Sequence, residues 1–461
     1  MMLIALLGVI AYFIYQAWQL EHHQAPVAST QVQTASASTE SGATTSTQTV
    51  HVVTDTQTVD IDLKGGDLHR LLLNHYSVSK DKPDDKLALL DDQDGRWSVL
   101  QTGLVGAEQV YSGPDSVYTA PASSYTLATG ADTLEVPLEY HDASGVEVRK
   151  LYRFHRGSYV VDLQQTLVND SSAALKVTAY AKFVRVPGET NSGPPLMMHH
   201  GFSGFGFYEQ KSGSSDYRFK KLAFKDVHEE PLDLHQQGGW LVMLEHYFLA
   251  AILPPNNEQL SFSAKPSNSV TDALIGQYLG STVDVAAGQT QAFPLRLYFG
   301  PETQGNLDQI APGLAYTEDY GILTPIAKPL FWILKAYHGL SGNWGVAIIL
   351  LTLTIKAVFF KLSEAQYRSA AKMRKFGPRL KELKERYADD REKLNKAMME
   401  LYKKEGFNPL AGCWPVLIQM PVFFALYWVL GQSVELRQAP FALWIHDLTA
   451  SDPYFVLPTH R

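Results

Sequence analysis

The sequence predicts a mixed membrane protein in which a large β-domain sits between an N-terminal anchor and a helical C-terminal region. Three observations carry that prediction. Met1 to Leu20 is apolar over about the length that a bilayer requires. From about His51 to Gly300, short alternating runs are punctuated by Gly, Pro, Asn and Asp, the pattern of strands and turns. Further apolar blocks at 320–340, 344–362 and 414–432 then flank a charged stretch at 363–404. Composition agrees with a mosaic. The 461 residues are 45% hydrophobic and 19% charged, and a mean hydropathy of −0.12 excludes a chain embedded throughout. The length suits two or three domains. A net charge of −8 argues against nucleic acid as the main partner. The single cysteine, Cys413, excludes an intramolecular disulfide and a multi-cysteine zinc site.

Taken in order, residues 1–20 read as a retained transmembrane anchor. No Lys or Arg precedes Lys64 and no small-x-small cleavage site follows, while Tyr12, Tyr15 and Trp18 suit an interfacial belt. Residues 21–50 are rich in Ser, Thr, Ala and Gln and bury too little surface to order themselves, so a flexible linker is expected. Residues 51–315 form the β-sandwich domain. Within it Leu134–Tyr140 and Val146–Tyr152 flank a hairpin connection at His141–Gly145, and Tyr159–Val168, Leu175–Val186 and Phe293–Phe299 read as further strands. In 320–340, Ile326, Leu330, Ile333, Leu334 and Tyr337 fall mostly on one face, interrupted by Pro325, Lys328, Pro329 and Lys335. Residues 344–362 and 414–432 are transmembrane candidates, the latter kinked at Pro421. Residues 433–461 are expected to be an outer loop and chain end.

Charge orients these pieces. Thirteen basic residues lie between Arg368 and Lys404, and so basic a loop belongs in the cytoplasm. With the β-domain outside, only one crossing is allowed between them. Residues 344–362 make it, and 320–340 lies along the outer interface as an amphipathic helix. In 363–404, Leu380, Leu383 and Tyr387 recur at helical spacing, Ala388-Asp389-Asp390 interrupts, and Leu394, Met398 and Leu401 resume. This is an αα-hairpin. It serves either as a solvated loop that sets topology or as a docking surface, with Arg374, Lys375, Arg379, Lys381, Lys384 and Arg386 as its basic face.

Enzyme chemistry finds no foothold. There is no phosphate-cradling Gly-rich loop ending in Lys-Ser/Thr, so no nucleotide is expected. His228-Glu229 lacks a second histidine at position 232, and Gly201-Phe-Ser-Gly-Phe205 fails the nucleophile-elbow pattern. The pairs His22-His23 and His199-His200 point in different directions on any regular element. No catalytic residue, metal or cofactor is expected.

Polarity inside the spans stands out instead. Lys356 lies two thirds of the way along 344–362, with Thr352 four residues earlier on the same face. A charge at mid-membrane costs on the order of 3 kcal/mol on insertion scales. Lys356 either snorkels to the cytoplasmic face, roughly 9 Å away at 1.5 Å per residue, or lines a wet cavity with Thr352. Gln419 in the later span either joins that cavity or makes an interhelical hydrogen bond.

Gly342-Asn-Trp-Gly345, Ala365-Gln-Tyr367, Ala371-Lys-Met-Arg374, Asn408-Pro-Leu-Ala-Gly-Cys413, Leu417-Ile-Gln-Met-Pro421 and the run from Ser433 to Asp447 resemble the YidC membrane-protein insertase family. The likeness is to proteobacterial members with a large periplasmic domain, and it extends to Tyr298-Phe-Gly-Pro301. The resemblance implies a periplasmic β-supersandwich, an interfacial helix and a core of five spans around a hydrophilic groove open to the cytoplasm. Lys356 takes the position usually held by a groove arginine, with the charge kept and the planar fork lost. Three further spans and a basic tail are implied beyond Arg461, so the reading expects a C-terminally truncated member whose groove lacks the walls those helices would supply. It further implies nascent inner-membrane proteins as clients, the Sec translocon and the ribosome or targeting machinery as partners, and the lipid bilayer as the medium. Phe359, Phe360, Phe423 and Phe424 are candidates for apolar contact with the client. A membrane-anchored periplasmic ligand-binding module is the alternative, because the implied fold also occurs in sugar-modifying domains.

Overall fold

The computed structural model describes residues 49–80, 82–92, 97–107, 109–142, 144–188, 202–211, 214, 216–302, 307–318, 320, 323–387, 391–404 and 414–449. The expected anchor at 1–20 and nearly all of the expected linker lie outside the described residues, as does the end of 433–461.

Strands in chain order are β1 Thr49–Val53, β2 Gln57–Asp62, β3 Asp67–Ser79, β4 Lys82–Leu90, β5 Ser98–Val105, β6 Val110–Ser112, β7 Ser124–Thr126, β8 Thr133–His141, β9 Val146–His155 and β10 Val160–Asn169. They continue as β11 Leu175–Arg185, β12 Gly204–Gln210, β13 Tyr217–Ala223, β14 Leu232–Gln237, β15 Leu241–Glu245, β16 Phe248–Leu253, β17 Gln259–Pro266, β18 Leu274–Val285 and β19 Thr290–Pro301. One sheet runs β14-β17-β18-β11-β5-β3-β2-β1-β7, with β4 on β3 and β6 on β5; the other runs β13-β12-β15-β16-β19-β10-β9-β8. The hairpin read at His141–Gly145 joins β8 and β9, and Gly145 takes φ +85°, which suits glycine. The first strand starts at Thr49, two residues before the expected boundary at His51.

Period-two alternation builds the core between the sheets. Along β9, Val146, Val148, Lys150, Tyr152 and Phe154 are buried, and their neighbours are more exposed. β16 breaks the alternation because both its faces are covered. Its outer residues Leu249, Ala251 and Leu253 pack with Trp240, Tyr298, Leu307, Ala311 and Leu314, so the segment leaving the domain folds back over its outer face.

Beyond a single helical turn at Leu307–Ile310, the α-helices among the described residues are α1 Thr324–Ser341, α2 Trp344–Val358, α3 Phe360–Arg386, α4 Arg391–Lys404 and α5 Trp414–Gln432. Pro325 opens α1, where its missing N–H is no loss, and Gly342 at φ +65° closes it through an N–H bond to His338 O of 2.7 Å. Ala327, Leu330, Phe331 and Leu334 of α1 are buried against Ala347 and Leu351 of α2 and Ala425 and Val429 of α5. The amphipathic helix is therefore a packing partner of both apolar helices. The block read as one helix over 344–362 is divided: α2 ends at Val358, and the chain turns by 61° into the start of α3. Neither Pro nor Gly marks this bend; it coincides with the change from apolar to charged sequence. Among the described residues no single helix is long and apolar enough to cross a membrane, but α2 with Phe360–Arg368 passes as a bent pair, and Leu417–Gln432 is a shorter apolar helix.

After α5 the chain returns to the β-domain. Val434 joins the main β-core. Arg437 Nη2 donates to Ser77 O (2.7 Å), Gln438 Nε2 donates to the same carbonyl (2.9 Å), and Lys80 Nζ donates to Gln438 O (3.2 Å) and to His446 O.

Candidate functional site

The candidate site is built on α2, α3 and α5. Asn343 sets the start of α2: its side-chain oxygen accepts the Val346 N–H (3.1 Å), and its amide donates to Phe441 O (2.8 Å). One residue thus caps the helix and ties it to the loop after α5. Gly345 is buried beneath the Phe441 ring, close enough that a Cβ there would collide with it.

Further along α2, Thr352 donates to Ile348 O (2.8 Å) and Thr354 to Leu350 O (2.9 Å). Each hydroxyl is thereby satisfied within its own helix. The Tyr337 hydroxyl reaches Thr354 Oγ1 (2.7 Å) from α1, a polar tie within an otherwise apolar interface. Lys356 stands in the last turn of α2, where the helix dipole favours a cation. Its side chain is exposed and has no ion-pair partner among the described residues. Thr352 is partly buried.

Gln419 is partly buried on α5, and its Nε2 approaches Ser363 Oγ on α3 at 3.5 Å. That contact is the interhelical bond raised as one of its two readings. No hydrogen bond joins Lys356, Thr352 and Gln419 to one another among the described residues. Phe360, Phe423 and Phe424 are exposed and Phe359 is partly buried. The rings of Phe423 and Phe424 meet edge to face at 6.1 Å. Ile418, Met420 and Tyr427 on α5, and Ile349, Leu353 and Val358 on α2, extend the exposed apolar surface. An exposed cation thus stands at the end of α2, whose own exposed surface carries Ile349, Leu353 and Val358.

The basic helices follow. Arg374, Arg379, Lys381, Lys384 and Arg386 are exposed on α3, while the side chain of Lys375 lies outside the described ones. Arg368 pairs with Glu364 at 2.7 Å and Lys361 with the same carboxylate at 3.4 Å. Lys381 lies 3.9 Å from Glu385, one turn on. Sequence reasoning missed Ser363, the Tyr337–Thr354 tie and the Asn343–Phe441 bond. Of these only Asn343 left a signal, as a cap residue directly before an apolar run.

Two family models match the chain. One, described as the YidC periplasmic domain, covers residues 49–333; the other, described as 60Kd inner membrane protein, covers 336–460. The membrane protein insertase YidC of Methylococcus capsulatus is 43% identical over 465 residues, which span 96% of this chain and 83% of its own length. The Nitrosococcus oceani protein of the same name is 41% identical over 419 residues, or 90% of this chain and 74% of its own. That of Shewanella piezotolerans is 39% identical over 475 residues, or 99% and 85%. A solved galactose mutarotase related enzyme from Lactobacillus acidophilus shares 8% identity over 54% of this chain and 97% of its own, at a TM-score of 0.36, too slight a likeness to bear on ligands. With both halves matched and about 40% identity along nearly its whole length, the chain belongs to the YidC membrane-protein insertase family.

Proposed function

We propose that the chain assists the insertion and folding of inner-membrane proteins, by itself or beside the Sec translocon, through a polar groove that opens to the cytoplasm. The observation that carries the mechanism is the exposed Lys356 in the last turn of an apolar helix, four residues before exposed Phe360, with Phe423 and Phe424 exposed on the other apolar helix. The orientation follows from the basic α3–α4 hairpin, which belongs in the cytoplasm. The β-domain then lies in the periplasm, α1 lies along the outer interface, and α2 continued by the start of α3, together with α5, crosses the bilayer.

In this reading Lys356 attracts acidic residues in the client's polar tail, so that the tail enters the membrane without complete loss of hydration. Thr352 and Gln419 line the path, and the phenylalanines receive the apolar segment. Transfer of that segment from water to lipid drives the process at ~25 cal/mol per Å². No bond is made or broken, so the chain works without a catalytic residue or nucleotide. Arg374, Lys375, Arg379, Lys381, Lys384 and Arg386 receive the client from the ribosome or targeting machinery. Family membership supports this reading, and no observation favours a periplasmic ligand-binding module.

The test is insertion into lipid vesicles. The chain, alone and fused to the residues of the Methylococcus capsulatus relative that follow the match, is reconstituted and presented with a single-span client. Protease protection of the client above that of empty vesicles is expected for the fusion. Insertion equal to that of empty vesicles in both preparations would refute the proposal.

A further inference from the structure

Three carboxylates from three separate segments converge where the β-domain meets the helices. Glu302 follows β19, Glu318 lies on the segment before α1, and Glu435 lies in the turn after α5. All three are partly buried. One carboxyl oxygen of Glu318 is enclosed without a hydrogen-bond partner. Glu318 interacts electrostatically with both other carboxylates and with Asp308, and Lys328 of α1 opposes it. Lys221 of β13 faces Glu302, and Lys335 of α1 faces Glu435. Tyr76 of β3 lies near Glu435 and Arg437, and Tyr298 of β19 lies near Glu302 and Glu318. Tyr159 contacts both tyrosines, and Tyr247 and Asp447 face Arg437. Glu318 and Glu435 form no ion pair among the described residues.

This cluster lies beside the contacts that hold the two parts together. Val434, next to Glu435, is in the β-core. Arg437, two residues on, lies over the Phe248 ring at 5.8 Å and bonds Ser77 O and Val78 O. Ionising like charges in such an enclosed space is costly, because desolvation exceeds what the distant lysines return.

We propose that this junction is a proton-operated latch, in which the β-domain stays seated on the helical part while Glu302, Glu318 and Glu435 are uncharged and loosens when they ionise. Burial pushes Glu302 and Glu318 up to about 8 and raises Glu435 as well. The sign follows from linkage. The seated state binds more protons than a state in which the carboxylates reach water at their ordinary 4.5. Seating is therefore fully favoured below that ordinary value and is lost as pH rises toward 8. Each linked proton changes the ratio of seated to loosened molecules by up to about tenfold per pH unit.

The test uses the chain in lipid nanodiscs with Cys413→Ala, spin-labelled through Ser144→Cys on the β8–β9 connection and Leu340→Cys on α1. Pulsed electron paramagnetic resonance reads the distance distribution between pH 6 and 9. One distance is expected at pH 6, with a second population growing so that the seated fraction relative to it falls at least tenfold by pH 8.5. Glu302→Gln with Glu318→Gln cannot ionise and is expected to keep the first distance at pH 9; Glu435→Gln alone shifts the change to higher pH. A distribution invariant from pH 6 to 9 in the unsubstituted chain overturns the latch. So does a pH change that persists unaltered in the double glutamine variant.

Discussion

Replacing Lys150 by methionine is expected to destabilise the β-domain far more than removal of a surface lysine. The amine is wholly enclosed (0% exposed) and faces Asp67, itself 1% exposed, at 3.6 Å. It donates to Gly65 O (2.6 Å), Thr102 O (2.9 Å) and Thr102 Oγ1 (2.8 Å). Tyr152 Oη donates to Gly66 O at 2.8 Å beside it, and the Tyr118 ring lies 5.0 Å from the amine. Methionine fills similar volume but strands these acceptors and leaves Asp67 with the Thr102 N–H (2.8 Å) as its remaining donor. Breaking one side of a buried pair typically costs about 3–5 kcal/mol. With a guanidinium dependence of about 5 kcal/mol per M, that lowers the midpoint by roughly 0.6–1 M. The assay is guanidinium unfolding of the chain in detergent, followed by the fluorescence of buried Trp240. Adding Asp67→Asn is expected to restore part of the loss. Burial also pushes the Lys150 amine down to about 8 from its ordinary 10.5. The unfolded chain then holds the extra proton between these values, so this group's contribution to stability rises with pH there, a gain the methionine variant lacks. A loss below about 1 kcal/mol, the size typical of an exposed pair, would refute the reasoning.

Other parts of the molecule give equally direct expectations. Gly345→Val drives a side chain into the Phe441 ring and is expected to cost about 1–3 kcal/mol and to speed amide exchange across 434–449; unchanged exchange would mean that the loop is held independently of α2. A cysteine at Ser144 should react with an impermeant maleimide from the periplasmic side and one at Lys384 only after the inner membrane is opened; labelling of Lys384→Cys in intact spheroplasts would reverse the orientation argued from charge. Reversing Arg374, Lys381 and Lys384 to Glu should weaken co-sedimentation with ribosomes several-fold at low salt and less at high salt, since screening already removes much of the attraction; an unaltered pellet would leave the hairpin as a topology signal alone.

Where periodicity speaks, the sequence was a good guide. Val146-Glu-Val-Arg alternates cleanly, and β8, β9, β10, β11 and β19 lie within a few residues of the expected strands. The same alternation puts Lys150 inside, between Val148 and Tyr152, yet a lysine in an inward register reads as surface until its partners are known. Those partners come from Gly65–Asp67 and Thr102, remote in sequence. The apolar face of α1 was legible, but not that it packs on both α2 and α5. The bend after Val358 has no Pro or Gly to announce it. Lys356 and Gln419 were legible because polarity within an apolar run is conspicuous; that Gln419 meets Ser363 depends on how α3 turns. The seating of Ser433–Thr449 on the β-domain is tertiary: Arg437, Gln438 and Lys80 donate to backbone carbonyls remote in sequence, and carbonyl acceptors leave no mark in the residue pattern.

The most direct test of the central claim compares two clients with three versions of the insertase. An acidic-tailed client and its neutralised form are offered to vesicles that hold the fusion described above, with Lys356, Lys356→Ala or Lys356→Arg. A charge attraction over a few Å is worth about 1 kcal/mol in water and several times more where partly desolvated. Lys356→Ala is therefore predicted to reduce insertion of the acidic client about fivefold or more while sparing the neutral one, and Lys356→Arg to retain both. Equal insertion of both clients by the unsubstituted and alanine versions would contradict the account and leave Lys356 as a snorkelling anchor.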